Sequence, residues 1–380
     1  MKIAILDTYY PDVLSARYRS EPGLALTGYA NQHAALIALA FGTSDFYSRH
    51  LNDLGHQASD LIVNCEPLQR AWARETGVRV AAAQMRIPHR YFRLPVIGSM
   101  ACALSGFSRI ALAQLEALQP DILYCQDLWF MTPQLARRLR PHVGRIVGQT
   151  ASPLPPPEYL ASYDLIVTSF PHYVPRLRAL GIAAEYLPIA FEPAVLDRIG
   201  TVKRDIGASF VGGISRHHGR ALPMLEYLAR NTPIEFFGYG AERLGYDSPI
   251  RERHHGEAWA LDMYRAIARS HVTFNRHIDV AEDNANNMRL YEATGVGTLL
   301  ITDSKRNLAQ LFEPGREVVV YSDAEEAARL IRHYLEHPDE AAEIARAGQA
   351  RTLREHTYRQ RMESLVPMLE RCLEQPRRPG

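Results

Sequence analysis

The sequence has few of the features that mark secreted, disulfide-bonded proteins. It contains only four cysteines, and none of them forms a CxxC motif or a spacing typical of zinc sites. Scattered cysteines in a chain of 380 residues are typical of reduced, buried thiols. We therefore expect a cytoplasmic protein without disulfides. The cysteines are Cys65, Cys102, Cys125 and Cys372.

Neither sign of charge is in excess. The chain has 43 Lys and Arg residues against 42 Asp and Glu residues, which gives a formal net charge of +1. No broad electrostatic field therefore attracts nucleic acid or an anionic membrane. An anionic ligand must be bound by groups placed around it, and we expect no nucleic-acid partner.

Long apolar runs are also missing. The longest weakly polar stretch, residues 94–107, has 14 residues with glycine and serine among them, short of the roughly 20 that cross a bilayer. We interpret it as one core helix and expect no transmembrane segment, with peripheral membrane contact as the alternative. The opening MKIAILD has too few apolar residues for the centre of a signal peptide and predicts a first strand.

Several ligand signatures are absent. No strand is followed by GxGxxG, which argues against a nicotinamide or flavin dinucleotide. No two aspartates are separated by a single residue, so the Asp-x-Asp that holds a divalent cation on a diphosphate is missing. Adjacent histidines diverge on most backbones, and His333 and His337 share a helix face without a third ligand. We predict no metal site and no cofactor.

Short apolar runs alternate with helix-length segments throughout the chain. This pattern predicts parallel strands covered on both faces, and thus an α/β fold. A chain of 380 residues exceeds the usual size of one hydrophobic core, so we expect two Rossmann-like domains. Prolines interrupt the pattern within residues 183–200. The predicted domains are residues 1–190 and 191–355, followed by a helical tail at 356–380.

One stretch, NNMRLYEATGVGTLLITD at residues 286–303, combines a cation, a carboxylate and glycines. A helix starting near Asn287 places Arg289 and Glu292 on one face, and Gly295 and Gly297 then end the helix and open a strand. A carboxylate can accept two hydrogen bonds from a ribose diol while an arginine meets phosphate. We predict a nucleotide site here. The alternative is a surface ion pair worth under about 1 kcal/mol.

Two further strand ends carry groups suited to the same ligand. Gly212 and Gly213 end the run ASFVGG and precede Arg216, so that backbone amides and a cation can approach a diphosphate. The alternative is a solvated basic loop. Asn275 and His277 end the run SHVTF, where buried polar groups need partners or a ligand. The alternative there is a histidine bonded to its own loop.

The first half of the chain has its own polar strand ends. Gln126 and Asp127 follow the run DILYC, and Gln149 and Ser152 end and follow the run GRIVGQT. These groups are suited to positioning an acceptor hydroxyl, and Asp127 is a candidate general base. A helix N-cap is the alternative role for Asp127. His33 is a second candidate base.

With these residues placed, the chain resembles the GT-B glycosyltransferases, specifically the branch related to the spore maturation protein CgeB. The segment EATGVGTLLITD resembles the Glu-Ala-x-x-x-Gly-Thr segment of retaining group 1 transferases. The run from LFEPGREVVVY to REHTY resembles the stretch that follows it. The resemblance implies two Rossmann-like α/β/α domains facing each other across a cleft, with the last helix crossing back onto the first domain.

The resemblance also implies an activity. The chain would move a sugar from a nucleotide-diphosphate donor to a hydroxyl or other nucleophile of a glycan, small-molecule or peptide acceptor, without a metal. Glu292 would hold the ribose, and the loop of Gly212 and Arg216 would face the diphosphate. Closure of the two domains would exclude water from the reaction.

One departure from the family pattern leaves the stereochemistry open. Eight positions before Glu292, where the retaining enzymes usually have a glutamate, this chain has Asn284. An inverting enzyme would need a base such as Asp127 or His33, whereas in a retaining one the donor phosphate could take the proton. The alternative functions are a nucleotide-sugar epimerase of the same architecture and a non-catalytic protein that binds a glycan or partner.

Overall fold

The computed structural model describes residues 1–87, 89–94, 97–214 and 221–376. The chain divides into two compact units. The first comprises Met1–Leu187 together with Met362–Gly380, and the second comprises Pro188–Arg361.

The first unit contains a six-stranded parallel sheet in the order β2-β1-β3-β4-β5-β6. Its strands are β1 Lys2–Asp7, β2 Gln57–Ile62, β3 Ile122–Cys125, β4 Arg145–Thr150, β5 Leu165–Thr168 and β6 Ala184–Tyr186. Its helices are α1 Pro11–Ser20, α2 Tyr29–Ile37, α3 Phe46–Asp53, α4 Glu66–Thr76, α5 Ala82–Met85, α6 Gly98–Leu104, α7 Gly106–Leu118, α8 Pro133–Leu139, α9 Pro157–Leu160 and α10 Tyr173–Ala179.

The second unit contains a five-stranded parallel sheet in the order β11-β10-β9-β7-β8. Its strands are β7 Ile206–Val211, β8 Ile234–Phe237, β9 Ser270–Phe274, β10 Leu299–Asp303 and β11 Val319–Tyr321. Its helices are α11 Ala194–Ile199, α12 Leu222–Asn231, α13 Pro249–Glu252, α14 Ala260–Arg269, α15 Met288–Gly295, α16 Leu308–Leu311, α17 Ala324–Glu336 and α18 Pro338–Glu355.

The central strands are buried on both faces, as the apolar runs in the sequence predict. Every residue of β3 and β5 is buried, and so are the four residues of β1 between Lys2 and Asp7. Side chains on both faces of such strands must be apolar, because helices cover the sheet on each side. The prediction of an α/β fold with two Rossmann-like domains is therefore confirmed.

The prediction of a single core helix over residues 94–107 is wrong. The helix breaks at Ser105, whose hydroxyl accepts a hydrogen bond from the Phe107 amide and caps α7. The side chains of Leu94, Met100 and Leu104 are exposed, whereas Phe107 is buried. A serine cap within an apolar stretch starts a new helix with a new buried face. No helix in the described ranges is long and apolar enough to span a bilayer.

The C-terminal helix, α19 at Tyr358–Glu374, begins in the second unit, and its residues from Met362 onward belong to the first. The buried guanidinium of Arg145 holds its end, donating hydrogen bonds of 3.0 Å to the carbonyl oxygens of Cys372 and Leu373. A helix leaves its last four carbonyls without intrahelical partners. The first residue of β4 therefore caps the last helix of the chain.

Candidate functional site

Both sheets have the same change of direction at their first strand. In the first unit β1 lies between β2 and β3, and in the second unit β7 lies between β8 and β9. Successive strands are added on one side of that strand and then on the other, which opens a crevice at the carboxyl ends of the strands. The topology thus predicts one ligand site beyond β1 and β3 and another beyond β7 and β9.

The polar side chains at the start of α15 are connected to the end of β9 in the second unit. Asn287 caps the helix by accepting a hydrogen bond of 3.1 Å from the Leu290 amide. The Asn287 amide donates to Asn275 Oδ1 at 2.7 Å, and the buried Asn275 amide donates to Thr302 Oγ1 at 2.9 Å. Two of the predicted donor-site residues therefore form one network that fixes where the helix begins.

Arg289 and Glu292 face the end of β7. The guanidinium donates to Glu292 Oε2 at 2.7 Å and, through Nε, to the carbonyl oxygen of Val211 at 3.0 Å. The Glu292 side chain is 4% exposed and that of Arg289 is 13% exposed. Burial raises the pKa of Glu292, while the Arg289 charge and a hydrogen bond from the Tyr264 hydroxyl oppose the rise. The pair is therefore shielded from solvent, and it is not the exposed surface ion pair that was the alternative interpretation.

Gly212 and Gly213, which follow β7, lie close to β8 and to the Tyr239 ring. The Gly212 amide donates to the Phe237 carbonyl oxygen at 2.9 Å, so it is already used within the sheet edge. The Gly213 amide has no hydrogen-bond partner in the described part of the chain. A Cβ at Gly213 would lie 2.2 Å from the Tyr239 ring, so a side chain there would require that ring to move. Arg216, predicted to face the diphosphate, lies outside the described residues.

His277 is fixed by Asp303 at the end of β10. Its Nδ1 lies 2.7 Å from Asp303 Oδ1, and Lys305 Nζ lies 3.2 Å from Oδ2 of the same carboxylate. Burial alone would raise the pKa of Asp303, but the hydrogen bonds and charge of His277, together with Lys305, lower it to about 2. His277 Nε2 is buried and has no hydrogen-bond partner among the described residues. The Nδ1 of His277 is therefore held by the end of another strand, not by its own loop as the alternative supposed.

The other two glycines of the predicted site do not face the crevice. Gly297 precedes the amino end of β10, opposite the carboxyl edge where a ligand would bind, and has a φ of +76°. A Cβ at Gly295 would lie 2.3 Å from the Phe191 ring. The prediction that Gly295 and Gly297 contact the nucleotide is corrected to a packing role for the first and a turn role for the second.

Asp127 lies at the crevice of the first unit, but both of its carboxylate oxygens have partners. Oδ2 accepts a hydrogen bond of 2.9 Å from Thr8 Oγ1, and Oδ1 accepts one of 3.0 Å from the Trp129 amide. The next helix, α8, is capped by Thr132 instead. Asp127 therefore stabilises the turn after β3 rather than capping a helix.

Asp7, which the sequence reasoning missed, ends β1 beside Asp127. Its Oδ1 accepts a hydrogen bond of 2.7 Å from the Thr8 amide. Thr8 thus bridges the two carboxylates, through its N–H to Asp7 and its O–H to Asp127. Burial, with smaller contributions from the charges of Asp127 and Asp60, raises the pKa of Asp7 to about 7, against the lowering effect of the Thr8 amide.

The remaining acceptor-side residues occupy neighbouring strand ends. Gln126 Oε1 accepts a hydrogen bond of 2.5 Å from Thr43, and its buried Nε2 has no partner among the described residues. Gln149 Oε1 accepts one of 2.7 Å from the Tyr124 hydroxyl. Ser152 follows β4 and contacts Thr150 through its amide and carbonyl.

His33 lies on α2 beside the edge strand β2, not at the turns after β1 and β3. Its Nε2 is 3.0 Å from the backbone carbonyl oxygen of Asp60, and its ring stacks on Tyr29. Burial lowers the pKa of His33. The structure therefore does not bring the two predicted bases together.

Within residues 1–87, 89–94, 97–214 and 221–376, no group of three or more His, Cys, Asp or Glu side chains could hold a metal ion.

Comparison with known proteins gives matches of two kinds. Residues 219–366 match a family model described as glycosyl transferase-like. No curated protein matches the chain by sequence.

Solved structures match over nearly the whole chain. A sucrose-phosphate synthase from Thermosynechococcus elongatus is 11% identical with a TM-score of 0.60, covering 98% of this chain and 99% of that one. HepE from Anabaena, in complex with UDP-glucose, is 12% identical with a TM-score of 0.60, covering 98% and 100%. A glycosyltransferase from Rickettsia africae is 10% identical with a TM-score of 0.59, covering 98% and 99%. At these identities the likeness shows a shared fold.

Proposed function

We propose that this chain, which has the GT-B fold and a glycosyl transferase-like match in its second unit, transfers a sugar from a nucleoside-diphosphate donor to a nucleophile on an acceptor. The observation that carries the proposal is the Arg289–Glu292 pair at the end of β7. It places a cation and a carboxylate together where the strand order opens a ligand crevice.

Arg289 is suited to the diphosphate. Its Nε and Nη1 are engaged by Val211 and Glu292, while Nη2 has no hydrogen-bond partner among the described residues. With a net charge of only +1, the chain has no general field to hold an anion, so a local guanidinium is required. As the sugar leaves, negative charge grows on the diphosphate, and Arg289 with the free Gly213 amide would stabilise it.

Glu292 is suited to the ribose. Its carboxylate is held in place by hydrogen bonds from Arg289 and Tyr264 and can accept further ones. A ribose diol would replace water or one of these contacts with two hydrogen bonds. HepE, which shares the fold, binds UDP-glucose, which makes uridine nucleotides the first to test.

The first unit would supply the acceptor side. Gln126, Gln149 and Ser152 present amide and hydroxyl groups at adjacent strand ends, beside the two aspartates bridged by Thr8. We propose that transfer needs no divalent cation, because the Arg289 guanidinium and the Gly213 amide would meet the charge of the leaving diphosphate.

The test is a thermal-shift titration with UDP, GDP, CDP and ADP. Each nucleotide is added with EDTA and, separately, with Mg²⁺ or Mn²⁺. Protection by at least one nucleotide in EDTA is expected, since a ligand at 100 times its Kd adds about 2.7 kcal/mol of stability. Protection that appears only with the cation would overturn metal independence. Absence of protection under all conditions would overturn the proposed donor site.

Turnover is tested next with the sugar conjugates of each protecting nucleotide. Slow release of the nucleoside diphosphate into water identifies a transferase acting without its acceptor. Isomerised sugar without release would identify an epimerase, and binding without either reaction would identify a binding protein.

A further inference from the structure

The first unit has an exposed apolar surface along the chain segment that ends with α6. Ten large apolar side chains are exposed in the described ranges, and five of them lie within residues 91–104. Contiguous exposed apolar patches mark sites of interaction with a protein, a membrane or a ligand. We call these five side chains the α6 surface: Tyr91, Leu94, Ile97, Met100 and Leu104.

Four side chains of the α6 surface form one stripe. The Gly98 amide donates to the Leu94 carbonyl oxygen at 2.9 Å, and the Ala101 amide donates to that of Ile97 at 2.8 Å. Positions 94, 97, 100 and 104 are three or four apart and therefore share a helix face. The other face contains the buried Gly98 and Cys102. The segment thus buries small side chains and exposes large apolar ones, the reverse of a helix that packs only onto its own domain.

The chain around the α6 surface carries charge of one sign. Residues 76–115 include five arginines and no aspartate or glutamate, although the whole chain is nearly neutral. Arg86 and Arg90 are exposed just before the stripe. The Arg90 guanidinium lies 5.3 Å from the centre of the Tyr91 ring, so a cation and an aromatic ring lie side by side at the edge of the surface.

Neighbouring helices keep this excess of positive charge. α8 packs against α6 and carries the exposed Arg137 and Arg138 in its last turn. α9 is linked to the same segment by the Tyr159 hydroxyl, which donates to the Phe92 carbonyl oxygen, and it carries one carboxylate, Glu158. Cations therefore outnumber carboxylates on the elements that adjoin the α6 surface.

An apolar stripe beside arginines fits a lipid surface better than a protein partner. Five partly exposed side chains cover less than the roughly 800 Å² that each partner of a stable protein complex buries. Interfacial segments of membrane-bound proteins instead place a short apolar face at the boundary of headgroups and acyl chains. Their basic side chains are attracted by anionic lipids, and a guanidinium pairs well with phosphate.

We propose that the α6 surface docks this protein onto anionic lipid membranes. The apolar stripe enters the boundary between headgroups and acyl chains, while Arg86 and Arg90 pair with lipid phosphates. The contact is peripheral, since α6 has seven residues and a membrane-spanning helix needs about 20. It is the contact that the sequence left as the alternative for residues 94–107. The inference does not depend on the proposed transfer reaction.

The test measures binding of the full chain to sucrose-loaded vesicles by sedimentation. Vesicles of phosphatidylcholine alone are compared with vesicles that also contain phosphatidylglycerol. We expect binding to the anionic vesicles and little binding to the neutral ones. Binding should weaken as the salt concentration rises, because salt screens the attraction between the arginines and the lipids.

A pair of leucine variants tests the apolar stripe. Leu94→Ser with Leu104→Ser should lower the partition coefficient for anionic vesicles by about tenfold or more, because two apolar side chains are lost from the lipid contact. The matched control is Leu26→Ser with Leu180→Ser, which changes two exposed leucines elsewhere in the first unit and should bind as the wild type does.

A pair of arginine variants tests the charge. Arg86→Glu with Arg90→Glu should also lower the partition coefficient by about tenfold or more. The control, Arg19→Glu with Arg74→Glu, makes the same change of net charge at exposed arginines of α1 and α4 and should lower it much less. All four double variants should keep the wild-type melting temperature, since the replaced side chains are exposed.

Three results would overturn the proposal. The first is a wild-type chain that does not sediment with anionic vesicles, and the second is an equal loss of binding in the variants and their controls. The third is a dimer that forms without lipid and dissociates in Leu94→Ser with Leu104→Ser, which would show that a second copy of the chain covers the surface. Equal binding to neutral vesicles would overturn the role of the arginines. None of these results bears on the transfer reaction, which is measured without lipid.

Discussion

Arg289 donates a 2.7 Å hydrogen bond to Glu292, and the two side chains are only 13% and 4% exposed. A charge so well shielded cannot be compensated by water when its partner is removed. Loss of one member of such a pair typically costs several kcal/mol, because the other charge stays buried and unpaired. The pair therefore contributes to stability as well as to the proposed binding of the donor.

Arg289→Ala is expected to lower the free energy of unfolding by about 3 kcal/mol and to abolish nucleotide protection. Glu292→Gln should also abolish protection but cost less stability than Arg289→Ala, because the new amide oxygen can still accept the hydrogen bond from Arg289. Thermal-shift titration of both variants with UDP measures the two effects together.

Arg265→Ala is the matched control. Arg265 pairs with Asp262 at the same i,i+3 spacing in α14, but the two side chains are 45% and 76% exposed. Its removal should change stability by less than about 0.5 kcal/mol and leave nucleotide protection intact. Full protection in Arg289→Ala would refute the donor-site assignment.

Gly295→Ala is expected to destabilise the second unit by about 2 kcal/mol, because the added methyl group would overlap the Phe191 ring. Phe191→Leu in the same chain should recover part of the loss if the overlap is the cause. Gly207→Ala serves as the control, since its new Cβ would meet Leu335 at an ordinary 3.5 Å. The melting temperatures of the wild type, the two single variants and the double variant measure these effects. A Gly295→Ala variant with the wild-type melting temperature would contradict the packing role.

Asp60→Asn is expected to stabilise the protein at pH 8 and to have little effect at pH 4. Burial raises the pKa of Asp60 to about 7, helped by the charge of Asp45 and opposed by the Ser48 hydrogen bond and Arg49. Oδ1 is buried without a hydrogen-bond partner among the described residues.

The sign follows from linkage. A raised pKa means that the folded state loses stability as the pH rises from about 4, where the unfolded carboxyl ionises, to about 7. An amide does not ionise, so the gain at pH 8 should be about 2 kcal/mol. Urea unfolding at pH 4, 6 and 8 measures it; an equal effect at all three would show that the ionisation is not responsible.

Asp303→Asn is expected to lower the free energy of unfolding at pH 7 by about 2 kcal/mol. His277 and Lys305 lower the pKa of Asp303 to about 2 despite its burial. A lowered pKa stabilises the fold above about pH 4, and the stabilisation disappears as the pH falls toward 2. The difference between wild type and variant should therefore be constant from pH 7 to 5 and shrink below pH 4.

Replacing Trp72 and Trp129 by phenylalanine provides a local probe for this measurement. Trp259 is then the only tryptophan, and it lies in the second unit together with Asp303. Urea unfolding followed by its fluorescence reports on that unit. A difference that persisted unchanged at pH 3 would mean that the charge of Asp303 is not what stabilises it.

The sequence allowed the strands and the charged face of α15 to be predicted, because both depend on local spacing. Buried parallel strands appear as continuous apolar runs, and residues three apart on a helix lie on one face. Arg289 and Glu292 were therefore predicted to meet, and they do. The strand order was not visible in any local pattern.

The position of Asp7 beside Asp127 depends on that strand order. A lone aspartate after an apolar run gives no sign that β1 lies between β2 and β3, or that Thr8 connects it to a carboxylate 120 residues further along the chain. Gly295 shows the opposite error. Its position before a strand suggested contact with a ligand, whereas the ring that excludes a side chain there belongs to Phe191, far earlier in the chain.

The contact between Arg145 and the last turn of α19 has a consequence for synthesis. During translation every residue of Pro188–Arg361 emerges before the segment that completes the first unit. The unit whose first residues leave the ribosome first therefore lacks its last segment until synthesis of the chain is nearly complete. A chain truncated before Met362 would contain every residue of the second unit but lack the last segment of the first.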